Sequence, residues 1–203
     1  MVRTLLILAL WSARWPGPAS SAADAFHRRL GITAATQQQE ACAIIPSLDT
    51  LLVHPITDVI KKEWEGFSPT PYLCPAGYWT IGYGHLCDKN HAPITREQGD
   101  RYLAEDLLDA LRDVERLAPN LKDEPGHRSV ALASWVMNLG KGNLASSTLL
   151  KRIREGEWEA AAKEMKRWDK VTVGCKKKPF RALTRRRLTE AHLFLTGEVK
   201  LFL

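Results

Sequence analysis

The sequence predicts an α+β fold, predominantly helical, in which a small β-hairpin lobe and a helical lobe flank a substrate cleft. Three observations carry this. Short runs rich in Tyr, Trp, Thr and Ile lie around the turn signal Pro75-Ala76-Gly77, as hairpin strands do. The segments on either side space their apolar residues by three and four, as helices with one buried face do. Residues 130 to 139 are almost wholly apolar, which marks a helix enclosed by others.

Residues 1–53 read as a leader and linker, and 54–203 as the catalytic domain. MVRTLLILALW followed by PGPASSAADA has the short apolar run and the small residues of a secretory signal within residues 1–25, and the run is too short to span a bilayer. TQQQ then reads as linker, and IIPSLDTLLV as an apolar segment packing on the domain. Ile56, Val59, Ile60 and Trp64 share one face of a helix that Gly66 stops. A hairpin starts at Cys74 and turns through Pro75-Ala76-Gly77. Thr95 and Gln98 form a capping box opening a helix whose Leu103, Leu107, Leu111 and Val114 keep one face and which ends near Pro119. The buried helix stops at Gly140, a helical pair breaks at Gly156, and a last helix runs from about Ala182 to Thr196 before Gly197. Asp169 to Arg181 reads as a loop.

The chemistry concentrates in WEGFSPTPYLCPAGYWTIGYGH, residues 64 to 85. Glu65 falls at a helix C-terminus, where backbone carbonyls disfavour a carboxylate, and Trp64, Phe67, Tyr72 and Trp79 desolvate it. Both effects raise its pKa, the condition for an acid that protonates a leaving oxygen. Glu63 is the rival acid, but residues two apart on a helix face different ways. Cys74 and Thr80 stand on the hairpin opposite. His85, Cys87 and His91 lack the repeated spacing of a zinc site, so no metal and no cofactor are expected.

E-x8-C-x5-T within EGF…PYLCPAGYWTIGYGH resembles the phage-type lysozymes, glycoside hydrolase family 24, whose pattern is a glutamate, then an aspartate or cysteine, then a threonine. The resemblance extends over roughly residues 55 to 197 and implies a lysozyme-like fold. It implies cleavage of the β-1,4 bond between N-acetylmuramic acid and N-acetylglucosamine in bacterial peptidoglycan. In that reading Glu65 is the general acid, and Cys74 and Thr80 position or activate water. It also implies that Tyr83 and Asn138 bind substrate, that His85 pairs with Asp106 as a structural contact, and that Arg181 or Arg185 pairs with Glu65. Capping the buried helix is the alternative role for Asn138. A lytic transglycosylase, which also needs one acid, and a wall-binding module without catalysis are the rival functions.

A net charge of +6 and a pI near 9.2 suit an anionic partner. KKK at 176 to 178 and RRR at 185 to 187 come without any nucleic-acid-binding motif, so peptidoglycan is the expected partner and nucleic acid is not. The expected protein is a monomer of the host cytoplasm or periplasm acting on the periplasmic wall, with a holin or export machinery serving its release. Cys42, Cys74, Cys87 and Cys175 permit three complete pairings, which spacing does not separate.

Overall fold

The computed structural model describes residues 46–74, 77–173 and 176–202. The leader through residue 45, with its signal reading and Cys42, lies outside these residues, as does Cys175. The first described helix, α1 (Leu48–Leu52), is capped by Ser47, whose hydroxyl accepts from the Thr50 amide. Leu51 is fully buried, so the packed body takes in a segment that the sequence assigns to the linker side of residue 54.

Helix α2 (Pro55–Val59) is capped by His54, whose Nδ1 accepts from the Ile56 amide at 3.1 Å, with Pro55 at the first position where its missing N–H costs nothing. The chain then widens into a π turn, Ile60–Trp64, closed by the Glu65 amide donating to the Ile60 carbonyl at 2.8 Å. The sequence spacing predicts one continuous helix here. The extra residue per turn is the difference, and it decides where the side chain of residue 65 points.

The antiparallel sheet has the order β1-β2-β3, with β1 Ser68–Leu73, β2 Trp79–Gly82 and β3 His85–Leu86. The first strand therefore begins at Ser68, six residues before the expected Cys74 start. Pro69 and Pro71 argue against a strand when read in isolation, but β1 is an edge strand and its register slips between Ser68 and Tyr72, which accommodates residues that cannot donate. Cys74 sits at the turn, donating its amide to the Tyr78 carbonyl at 2.9 Å.

Helix α3 (Arg96–Leu117) opens with both halves of the Thr95–Gln98 capping box in place and ends at Ala118, before Pro119. It crosses from the hairpin to the helical lobe. Gly99 lies under Phe67 and Tyr83, so closely that a Cβ there would come within 2.7 Å of the Phe67 ring. Helix α4 (Gly126–Leu139) is the centre of the core, with every residue from Ser129 to Leu139 buried. Gly140, at φ +87°, ends it in a conformation open to glycine.

Around it lie α5 (Lys141–Ala145), α6 (Thr148–Arg154), α7 (Trp158–Lys166) and the final helix α8 (Arg181–Thr196). Between α7 and α8 stands a second hairpin, β4 (Lys170–Val173) with β5 (Lys176–Pro179), where the sequence reads as loop. Three successive lysines hide its period-two pattern. Val171 is buried against the body, while all four β5 residues are exposed. No described helix is long and apolar enough to cross a membrane.

Candidate active site

Glu65 leaves the π turn with extended backbone, φ −118° and ψ 137°, which separates it from the helical run of Glu63. Its side chain keeps only 17% of its surface. The group it meets is Arg186 of α8, whose Nη1 donates to Glu65 Oε1 at 2.9 Å. This replaces the pairing expected for Arg181 or Arg185. Arg181 opens α8 and is exposed, whereas Arg186 lies one and a half turns further along, 1% exposed, with its guanidinium stacked 4.5 Å from the Trp64 ring. Which arginine of the RRR run reaches the acid depends on how α8 packs on the lobe, and both Arg186 and Arg187 are buried there.

On the hairpin, Cys74 and Thr80 are both buried, at 2% and 0% exposure. Thr80 is fixed by donating its hydroxyl to the Tyr72 carbonyl at 3.3 Å and by pairing with Tyr72 across the strands. Tyr72 links the three positions. Burial pushes its phenol above the usual value, the adjacent Thr80 hydroxyl pulls the other way, and the charges of Glu65, Cys74 and Cys87 raise it further. The sequence uses Tyr72 only as a desolvating ring, but the phenol lies within electrostatic reach of all three candidate residues.

His85 and Asp106 meet as the resemblance implies, with Nδ1 3.1 Å from Oδ1 and the imidazole stacked on Tyr102 at 4.4 Å. Asp106 also lines a pocket of about 160 Å³ whose other walls include Leu86, Asp109, Val136, Met137 and Lys141. That pocket runs along β3, α3 and α4 and is not lined by Glu65, Cys74 or Thr80.

Tyr83 stands apart from the acid. Its ring packs on Phe67 at 5.3 Å, and burial followed by the nearby Asp100 charge raises its phenol. Asn138 is 2% exposed, lies inside the wall of α4, and leaves its Oδ1 without a hydrogen-bond partner. No cap bond from Asn138 ends the helix.

Behind Arg186 is a cluster that the sequence reading missed. Glu190 is fully buried, and its Oε1 accepts from Arg186 Nε at 3.1 Å, Arg187 Nη2 at 3.0 Å and Ser134 Oγ at 2.9 Å. The signal available was RRxxE, two arginines three and four residues before a glutamate on one helix.

The family model described as phage lysozyme matches residues 62–190. An endolysin of Acyrthosiphon pisum secondary endosymbiont phage 1 is 35% identical over 139 residues, 67% of this chain and 92% of that protein. A SAR-endolysin of Enterobacteria phage P21 is 31% identical over 140 residues, 66% of this chain and 79% of its own length. Among solved structures, the muramidase domain of SpmX from Asticaccaulis excentricus superposes with a TM-score of 0.62 at 31% identity, covering 71% of this chain and 97% of that domain. The endolysin from Escherichia coli O157:H7 phage FAHEc1 gives 0.60 at 30% identity, covering 76% and 97%.

Proposed function

The chain belongs to the phage lysozyme family, and we propose that within it Glu65 is the general acid and that Cys74 and Thr80 hold the attacking water. The protein is a glycosidase, a lysozyme that hydrolyses bacterial peptidoglycan. Its target is the β-1,4 bond between N-acetylmuramic acid and N-acetylglucosamine. The observation that carries the residue assignment is the isolation of Glu65 at the end of the π turn, mostly buried, facing the Arg186 guanidinium.

In this reading Glu65 donates its proton to the glycosidic oxygen as the C–O bond breaks, and water adds to the sugar carbon from the side of Cys74 and Thr80. After proton transfer the carboxylate is left facing Arg186, whose positive charge stabilises the anion that the chemistry creates. The Thr80 hydroxyl is oriented by its bond to the Tyr72 carbonyl, which leaves its lone pairs as acceptors. In the same reading Tyr83 and Asn138 bind substrate, and His85 with Asp106 braces the fold.

The similarity to SAR-endolysins supports action at the periplasmic wall. Passage there through a signal in residues 1–25 or a holin, and action as a monomer without nucleic acid, complete the proposal. The test is digestion of purified wall by wild type and by Glu65→Gln. Wild type releases new reducing ends and Glu65→Gln does not; equal release by the two overturns the assignment of the acid. Product masses lighter by one water, the mark of an anhydro sugar, identify a transglycosylase instead.

A further inference from the structure

The buried side of Arg186 carries an arrangement beyond the reaction as derived above. Four charged groups line up through the helical lobe: Glu65, Arg186, Glu190 and Arg187. Arg186 Nη1 donates to Glu65 at 2.9 Å and its Nε to Glu190 at 3.1 Å, while Nη2 approaches the Ser134 carbonyl at 3.4 Å. One guanidinium is thus held between two carboxylates, one mostly buried at the cleft and one fully buried. Arg187 engages Glu190 from the other side, with Nε 2.8 Å from Oε2 and Nη2 3.0 Å from Oε1. Ser134 adds a hydroxyl to the same Oε1.

A carboxylate with no exposed surface is costly to desolvate and needs such a set of donors to remain charged. Replacing the whole cluster by apolar side chains would often cost no stability, so retaining it wants another reason. We propose that Glu190 is a positioning residue for the reaction: by sharing the Arg186 guanidinium with Glu65, it fixes where that guanidinium sits and how much of its charge the general acid feels. Ser134 and Arg187 set the strength of Glu190 in this contest. The inference rests on Glu65 being the acid.

Burial pushes Arg187 down to about 10, with the Glu190 charge the largest opposing influence, as expected for a cation whose place depends on that carboxylate. Other titratable groups bear on the relay. The Glu65 side is faced by the Tyr72 phenol and the Cys74 thiol from the hairpin. Its own turn carries Lys61, Lys62 and Glu63, of which Lys61 is committed to Asp58 and Asp100. Asp169 acts on Arg187 from the segment before β4.

The alkaline limb of the kcat/KM profile reports deprotonation of the free enzyme's acid. Glu190→Gln deletes a negative charge behind Arg186, so the guanidinium acts more fully on Glu65 and the anion forms more easily. The limb then moves to lower pH, by about one unit for charges this close in a partly buried site. Ser134→Ala removes a donor from Glu190 without altering any charge. Glu190 then competes harder for Arg186, and the limb moves the other way by a smaller amount.

The control is Thr189→Val, a buried site on the same helix whose hydroxyl has no hydrogen-bond partner, so that no charge and no hydrogen bond of the relay is altered. It leaves the limb in place whatever it does to the melting temperature. Opposite displacement by the two variants with KM little changed is the expected result. An unmoved limb in a folded Glu190→Gln protein overturns the proposal, as does an equal displacement by Thr189→Val. If Glu190→Gln fails to fold, Ser134→Ala decides alone: an unmoved or downward limb overturns it. Loss of the inference is separable from loss of the acid assignment, because Glu65→Gln remains inactive in the first case and retains activity in the second.

Discussion

Gly99→Ala sets two effects of opposite sign against each other. In the interior of α3 alanine is favoured over glycine by about 1 kcal/mol on propensity alone. A Cβ at this site, however, lies 2.7 Å from Phe67 Cε2 and 3.3 Å from Cδ2, where apolar carbons rest at about 3.5–4.0 Å. The ring must retreat by most of an ångström. Its room is limited, with Tyr83 at 5.3 Å and the Arg96 guanidinium at 4.9 Å from the ring centre. Overpacking of this kind costs about 1–3 kcal/mol, so the net expectation is a loss of about 1 kcal/mol. For a body of this size that lowers Tm by about 2–4 °C, read by circular dichroism on wild type and variant. Phe67 is two residues from Glu65, so lytic activity should fall with it. Phe67→Leu in the same chain removes the obstructing ring carbons, and the double-mutant cycle should show favourable coupling above about 0.5 kcal/mol. A Gly99→Ala protein that melts above wild type by the full propensity gain, or a cycle with no coupling, refutes the reasoning.

Three further outcomes are expected. Cys74→Asp keeps measurable wall hydrolysis and Cys74→Ala loses most of it, because a water needs an acceptor at that turn; equal activity of the alanine protein in a reducing-end assay makes Cys74 a packing residue. Burial lowers the pKa of His54, which caps α2 as a neutral acceptor, so the unfolded chain binds that proton more tightly and stability declines as pH falls through about 6.5 toward the folded value. His54→Asn keeps a cap acceptor and does not titrate, so Tm measured from pH 7 to 5 should fall less steeply than in wild type. Lys170, Lys176, Lys177, Lys178 and Arg181 make no ion pair among the described residues and crowd the second hairpin and its exit. Exchanging Lys176, Lys177 and Lys178 together for Gln should weaken binding to intact walls in low salt and flatten its salt dependence, with turnover of short soluble glycan fragments unchanged.

The parts of the fold that depend on local rules were legible in the sequence. Thr95 with Gln98, the glycines at 140 and 197, and the almost wholly apolar run after Ser129 each act within a few residues, and each element stands where those signals put it. What escaped depends on distant partners. Pro69 and Pro71 are tolerable only because β1 has an open edge, which is a property of the assembled sheet. The choice of Arg186 over Arg181 or Arg185 depends on which face of α8 the rest of the helical lobe packs against, which is a property of the assembled fold. The site followed the same division. The proposal of Glu65, Cys74 and Thr80 comes from spacing and resemblance, whereas Glu190 and Ser134 are 56 residues apart and meet only through packing.

The π turn makes the aim of the acid a matter of counting. Five residues span the loop from Ile60 to Glu65 where an α-helix would use four. The side chains of that turn are committed as well, with Ile60 fully buried, Lys61 paired with Asp58 and Asp100, and the Trp64 ring against Arg186. Losing one residue between Ile60 and Trp64 would let the turn relax into an α-helix and swing the next side chain by about 100° around the axis, carrying the carboxylate away from Arg186. A single-residue deletion here should therefore abolish wall clearing. For anyone redesigning this enzyme, length in this one turn is a specification of chemistry, on top of the packing its side chains supply.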